Sequence, residues 1–326
     1  MTESTWSDHE YELDGITLHA IEQGEGPVVL FVHGYPETSF SWRHQLPALA
    51  GAGYRAVAID VRGYGRSSRP EDVEDYAMTR HVADNVRLAE ALGLDEVVIV
   101  GHDWGAPIAA TSALLRPDLF SAVGLLSVPY APPSVRRPTE VFTELFGGAD
   151  EFYINYFQEP GRADSEAAED VLWWLSGFYY GASADAPPEA TRFAVVPKGE
   201  RMKDRLVQPG AEMSWLPDAD LAHYVAEFER TGFTGGLNRY RNLDRDWADL
   251  AAFRGRPVVV PALFIGGDKD GPTIWGAAAI GRFPETLPRL FGSHILEHCG
   301  HWVQQEKPDE VNRLLLEFLA EVRPVS

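Results

Sequence analysis

The stretch Gly101-His102-Asp103-Trp104-Gly105 constrains this chain more than any other. It follows the apolar run Val97 to Val100 and leads into Ala106-Pro107-Ile108-Ala109-Ala110, the order of a strand, a tight turn and a helix. Glycines flank such a turn because a Cβ there would hold strand and helix apart. In the nucleophile elbow G-x-S-x-G the middle residue is a serine; here it is Asp103, and the chain holds one G-x-D-x-G and no G-x-S-x-G. An aspartate at the head of a helix can also be an ordinary N-capping residue. Its position directly after a strand of the buried type, between two glycines, favours a carboxylate nucleophile that forms an ester with its substrate. The remaining residues must then supply a group that activates water and groups that help the leaving atom.

Patterns on either side describe the surrounding fold. Tyr11 to Leu13 and Ile16 to Ile21 alternate apolar residues around Asp14-Gly15, which predicts an opening β-hairpin. Val28 to Val32 is a continuous apolar run, as in parallel strands buried on both faces, and it ends in the loop His33-Gly34-Tyr35-Pro36. Trp42 to Ala52 and Thr79 to Leu92 read as helices closed by Gly53 and Gly93, with a strand at Ala56 to Ile59 between them. The helix after the elbow runs to about Arg116, where Pro117 stops it, and Ala122 to Leu126 is the next strand. Alternation of this kind predicts an α/β fold with a mostly parallel sheet covered by helices. From residue 130 to 244 aromatic-rich helical stretches replace it, at Phe152 to Phe157, Val171 to Tyr180 and Leu221 to Glu229. We read them as a helical cap inserted into a core made of residues 1–129 and 245–326. Strands resume at Val258 to Ile265 and Ser293 to Leu296, and Pro308 to Glu321 is an amphipathic closing helix.

Composition removes several classes of partner. With 326 residues, 45% of them hydrophobic and 24% charged, the chain can fill one large core and an insertion. Its net charge of -21 repels phosphate backbones and anionic membrane surfaces, so nucleic acid is not an expected partner. The apolar runs fall well short of the roughly 20 residues of a spanning helix, so no membrane insertion is expected. A polar, acidic start and a single cysteine, Cys299, predict a cytoplasmic protein without an internal disulfide.

An ester on Asp103 has to be hydrolysed, which calls for a general base, usually a histidine oriented by a carboxylate. In this architecture the chain order is nucleophile, acid, histidine. Asp268-Lys269-Asp270 follows the strand ending at Ile265, and His301 lies between the last strand and the last helix. The loop after the preceding strand, Ser127 to Val135, contains no acid. Spacing does not choose between Asp268 and Asp270, and either alone could be a solvated turn residue. His294, His298 and His301 form a loose H-x3-H-x2-H, but a strand followed by a glycine-containing loop does not gather three imidazoles on one face, so no metal is expected. Cys299 reads as a small buried hydrophobe, and Tyr153 and Tyr156 could merely pack a helix face.

These residues resemble the α/β-hydrolase-fold epoxide hydrolases of the soluble type. The resemblance covers nearly the whole chain, from His33-Gly34-Tyr35-Pro36 through Gly101 to Gly105 and on to Gly300-His301-Trp302. Phe152-Tyr153-Ile154-Asn155-Tyr156-Phe157-Gln158-Glu159-Pro160-Gly161 is similar to the family's first cap tyrosine motif, and Gly236-Leu237-Asn238-Arg239-Tyr240-Arg241-Asn242 to its second. The resemblance implies Tyr153 and Tyr240 as proton donors, Asp270 rather than Asp268 as the partner of His301, and the backbone N–H groups of Tyr35 and Trp104 as the oxyanion hole. It also implies a cis peptide before Pro36. The activity implied is hydrolysis of small apolar epoxides to vicinal diols, with water as second substrate and no cofactor. A ring opened at carbon leaves an alkoxide too basic to depart unassisted, and a phenol with a pKa of about 10 can donate to it. Tyr156 keeps its packing role, Trp173 and Trp174 are cap core or pocket wall, and the oligomeric state is unknown.

Two other readings use the same elbow. A haloalkane or haloacid dehalogenase would release halide instead of an alkoxide. Resemblance to the haloalkane enzymes would place an asparagine or similar donor where this chain has Tyr35, and fluoroacetate-type enzymes would place arginine where it has Trp104. A non-catalytic ligand-binding relative would show a broken set of residues, and here Asp103, Asp270, His301, Tyr153 and Tyr240 are all present.

Overall fold

The computed structural model describes residues 6–146, 148–323 and 325. In chain order its strands are β1 (Ser7–Leu13), β2 (Ile16–Gln23), β3 (Val28–Val32), β4 (Arg55–Ile59), β5 (Val97–His102), β6 (Phe120–Leu126), β7 (Asp150–Phe152), β8 (Val195–Pro197), β9 (Ala262–Gly267) and β10 (Leu290–Leu296). Eight of them form one sheet in the order β1-β2-β4-β3-β5-β6-β9-β10, while β7 and β8 pair separately. The opening hairpin sets Leu13 opposite Ile16, β2 runs antiparallel to β4, and every neighbour from β4 to β10 is parallel.

Parallel strands joined by helical crossovers are covered on both faces, and the side chains divide accordingly. Along β3, Leu30 and Val32 join one core, with α2 (Met78–Ala91) and α3 (Gly105–Leu115) against it. Val29 and Phe31 join the other, beneath α1 (Gln45–Gly51) and the C-terminal helix Pro308–Val322. Helix α3 carries no polar stripe, because Ala106, Ile108, Ala109, Ala110 and Ala113 are all buried between sheet and insertion.

After β6 the chain leaves the sheet for α4 (Pro138–Phe146), α5 (Tyr153–Tyr156), α6 (Arg162–Glu169), α7 (Val171–Ala182), α8 (Asp218–Thr231), α9 (Thr234–Arg241) and α10 (Leu243–Asp249). One face of the last two is tied to the segment that precedes and opens α2. The Arg239 guanidinium donates to the Tyr76 carbonyl, the Asn242 amide to Val73 O at 2.6 Å, and the Met78 N–H to Asp246 Oδ1 at 2.7 Å. Spacings of three and four residues keep 239, 242 and 246 on one side.

Some elements differ from expectation, each for a local reason. Trp42 to Ala52 is not one helix: the Thr38 hydroxyl caps a 3-10 turn over Ser39–Trp42, and the α-helix starts at Gln45. Phe152 ends β7 opposite Val195 and stacks on Phe146, so the helix opens at Tyr153. Val258 to Val260 lies outside the strand, with the Val258 N–H donating to Thr286 O; Pro261 has no N–H for a ladder, and β9 begins at Ala262. Helix α10 runs across the expected boundary after residue 244. Among the described residues no helix is long and apolar enough to cross a membrane.

Candidate active site

Asp103 sits in the turn between β5 and α3 with φ of 51°. Residues other than glycine adopt that region only where their surroundings hold them there. Here they do: a Cβ on Gly101 would run into the Gly105 carbonyl, and one on Gly105 into the carbonyl of Val32. Helix and strand therefore meet closely, and the aspartate is turned outward at their junction.

The loop after β3 closes on it. Gly34 lies so near that a Cβ would collide with the Asp103 carboxylate. The Tyr35 N–H donates to Asp103 Oδ1 at 2.8 Å, and the Tyr35-Pro36 peptide is cis. His33 ties the loop down, its Nδ1–H donating to Gly34 O at 2.8 Å while Nε2 accepts the Val61 N–H at 3.0 Å. Burial lowers its pKa and keeps it neutral for that task. The Trp104 N–H makes no hydrogen bond with the described residues.

The second oxygen, Oδ2, lies 3.3 Å from His301 Nε2. His301 Nδ1 is 2.8 Å from Asp270 Oδ1, and Asp270 is fully buried. The other oxygen of Asp270 accepts the Thr273 N–H at 3.2 Å and the Thr273 hydroxyl at 2.6 Å, which fixes the carboxylate in plane. Asp268 does not reach the histidine; it accepts the Cys299 N–H at 3.1 Å. Burial opposes charge on His301, but the Asp270 charge and hydrogen bonds to Asp103 and Asp270 outweigh it and hold its pKa well above the ordinary value. Burial likewise raises Asp103, yet the hydrogen bond and charge of His301 leave its pKa below the usual carboxylate range. The resting pair is a carboxylate facing an imidazolium.

Two cavities meet at Asp103. The larger, about 500 Å³, runs past Trp104, Phe142, Trp247 and Trp275, and the smaller, about 240 Å³, past Phe178, Phe193, Asp270 and His301. Tyr153 and Tyr240 line both. Their ring centres are 6.1 Å apart, and Tyr240 meets the Trp104 ring edge-on at 5.1 Å. Neither hydroxyl has a partner among the described residues. Burial, then the charge of Asp103, raises both phenol pKa values, so each keeps its proton.

Other singled-out residues fall elsewhere. Tyr156 is buried and hydrogen-bonds Glu166, a packing role. Trp174 is buried with its indole N–H on the Tyr35 hydroxyl at 3.2 Å, whereas Trp173 is exposed. Cys299 is buried and free. Among the described residues no three metal-ligating side chains gather, and His294 and His298 stay apart from His301 in this respect.

Sequence reasoning missed a polar support behind the pair. His102 is wholly buried beside the His301 ring, 4.9 Å between centres. Its Nε2 is 2.8 Å from the His301 carbonyl, which can only accept, so that nitrogen carries hydrogen. Its Nδ1 is 2.7 Å from Glu37 Oε2, and Glu37 Oε1 accepts from Gln304 and Gln305 at 3.0 and 2.8 Å. The Ser127 hydroxyl also donates to the His301 carbonyl at 2.6 Å. The histidine after the elbow's first glycine was the available signal.

Comparison with known proteins agrees with this architecture. A family model for the alpha/beta hydrolase fold matches residues 27–308. Epoxide hydrolase B of Mycobacterium tuberculosis is 43% identical, the match covering 95% of this chain and 97% of that protein. The chain belongs to the epoxide hydrolases of the α/β-hydrolase fold. Solved structures of the family superpose closely. An epoxide hydrolase from an endophytic Streptomyces is 56% identical with a TM-score of 0.96, over 98% of this chain and 97% of that one. Epoxide hydrolase A from Mycobacterium thermoresistibile is 43% identical with a TM-score of 0.92, over 98% and 99%.

Proposed function

We propose that this chain hydrolyses epoxides to vicinal diols through a covalent ester on Asp103. The observation that carries the reading is the gathering of Asp103, His301 and two unpartnered tyrosine hydroxyls around one cavity. Because Oδ1 is held by the Tyr35 N–H, Oδ2 is the attacking atom. Its bond to a ring carbon forms as the carbon–oxygen ring bond breaks, and the departing oxygen takes a proton from Tyr153 or Tyr240.

Esterification removes the negative charge that faced His301 and one of its hydrogen bonds. The His301 pKa then falls, and the proton it gives up restores the tyrosine. Neutral His301, oriented by Asp270, takes a proton from water as that water attacks Cγ of Asp103. The oxyanion forms on Oδ1 and is stabilised by the N–H groups of Tyr35 and Trp104. The Cγ–Oδ2 bond breaks and the diol leaves with Oδ2 and the proton from His301; the water oxygen stays on Cγ, and its remaining proton passes to His301, which restores the carboxylate facing an imidazolium. Residues 130–244 act as a cap that supplies both tyrosines, and two unequal apolar cavities suit an epoxide with unequal apolar arms. Neither a cofactor nor nucleic acid enters this scheme, and a buried free thiol suits a cytoplasmic setting.

A single turnover in isotopically labelled water tests the ester. Label is expected in the Asp103 peptide and not in the diol; label delivered directly to the diol would show that water attacks the ring itself.

A further inference from the structure

We infer that Thr111 recognises an oxygen atom on the longer arm of the substrate, a step that rests on the epoxide reading above. The larger cavity runs along one face of α3. Trp104, Pro107, Ala110, Thr111 and Leu114 all line it, at the spacings of three and four that keep residues on one side of a helix.

Thr111 is the polar member of that stripe beyond the elbow. It is 7% exposed, and its hydroxyl makes no hydrogen bond with any described residue. A threonine or serine inside a helix ordinarily returns its hydroxyl to the carbonyl four residues back. The neighbouring Ser112 does so, donating to Ile108 O at 2.8 Å. The Trp247 indole N–H on this wall is also buried without a partner, but it is a donor on a fixed ring, and the other hydroxyls and the Asp246 carboxylate beyond the elbow are already engaged. The Tyr130 hydroxyl donates to Arg256 O at 2.7 Å, the Ser134 hydroxyl to Arg136 O, and Asp246 pairs with Arg239. Apart from the two tyrosines beside Asp103, Thr111 therefore holds the one unpartnered hydroxyl in the larger cavity among the described residues.

An unpaired hydroxyl in an apolar wall is costly unless the occupant satisfies it. Thr111 lies six residues beyond Gly105, roughly 9 Å along the helix at about 1.5 Å per residue. The substrate class this geometry selects is an epoxide whose longer arm carries a ketone, ester or ether oxygen about that far from the ring. The Thr111 hydroxyl donates to that oxygen, and the rest of the arm meets hydrocarbon.

The test uses terminal epoxides of equal length, one plain alkyl and the others bearing a ketone moved one carbon at a time, with kcat/KM measured for the wild type and for Thr111→Val. The wild type is expected to show a maximum at one ketone position, roughly 3- to 10-fold above the plain alkyl epoxide. In Thr111→Val, which keeps the volume and removes the donor, the ketone-to-alkyl ratio taken within the variant is expected to be flat. A flat profile in the wild type, or a maximum that survives in Thr111→Val, overturns the assignment while leaving the epoxide reading intact. Hydrolysis of none of the series by the wild type overturns the epoxide reading and this inference with it.

Discussion

Proton occupancy around Asp103 follows from position more than from residue type. His301 stands between two carboxylates and is held charged, while Tyr153 and Tyr240 face an anion from within apolar walls and are held neutral. On the proposed chemistry this gives the two half-reactions different pH dependences. Alkylation needs ionised Asp103, whose pKa is depressed, so it persists as the medium becomes acidic. Ester hydrolysis needs neutral His301, so it slows as pH falls through the histidine's value in the ester. The fraction of enzyme carrying the ester at steady state is therefore expected to rise as pH falls, read by acid quench and intact mass. His301→Gln should retain the ester almost quantitatively by the same readout, while Asp103→Asn gains no mass. Tyr153→Phe and Tyr240→Phe should each lower kcat/KM by about 10²-fold, with the loss in the rate of ester formation. Asp103 and His301 were legible because their meaning lies in local order, strand then turn then helix, and last strand then loop. Tyr153 and Tyr240 were legible through resemblance alone, since a phenol on a helix also reads as packing. Glu37 was not legible, because its partner His102 is 65 positions away and no spacing connects them.

Helices α9 and α10 show how an inserted segment is held to the core that it interrupts. Their ties to the core come from side chains reaching backbone groups at Val73, Tyr76 and Met78, and the Arg239–Asp246 pair lies buried among them. Removing one partner of a buried pair leaves an uncompensated charge, so Arg239→Met is expected to lose about 3–5 kcal/mol of unfolding free energy, measured by urea denaturation. Elements of this scale were read well from the sequence where periodicity was long. Met78–Ala91 and Pro308–Val322 match their expected helices to within one residue at each end. The three-residue strands β7 and β8 left no readable run, because each is defined by a partner 45 positions away rather than by its own pattern. Val258 to Val260 carried a strand's composition without a strand's neighbours, and Pro261 decided the outcome.

At the scale of the molecule, a charge of -21 surrounds an interior whose working space is apolar. Like charges spread over the surface repel one another in the folded state, and added salt screens them within about 10 Å at 0.1 M. Surface ion pairs such as Arg313–Glu317 offset little of this, since exposed pairs are worth at most about 1 kcal/mol. The melting temperature is therefore expected to rise with sodium chloride up to a few tenths molar, checked by scanning calorimetry. The apolar walls have a further effect on the order of events. An epoxide has no hydroxyl, whereas its diol has two, and each must find a partner or return to water. Reaction thus converts an oil-loving solute into a water-loving one inside an oil-like chamber, and the chamber extracts its substrate from solution and rejects its product by partition alone.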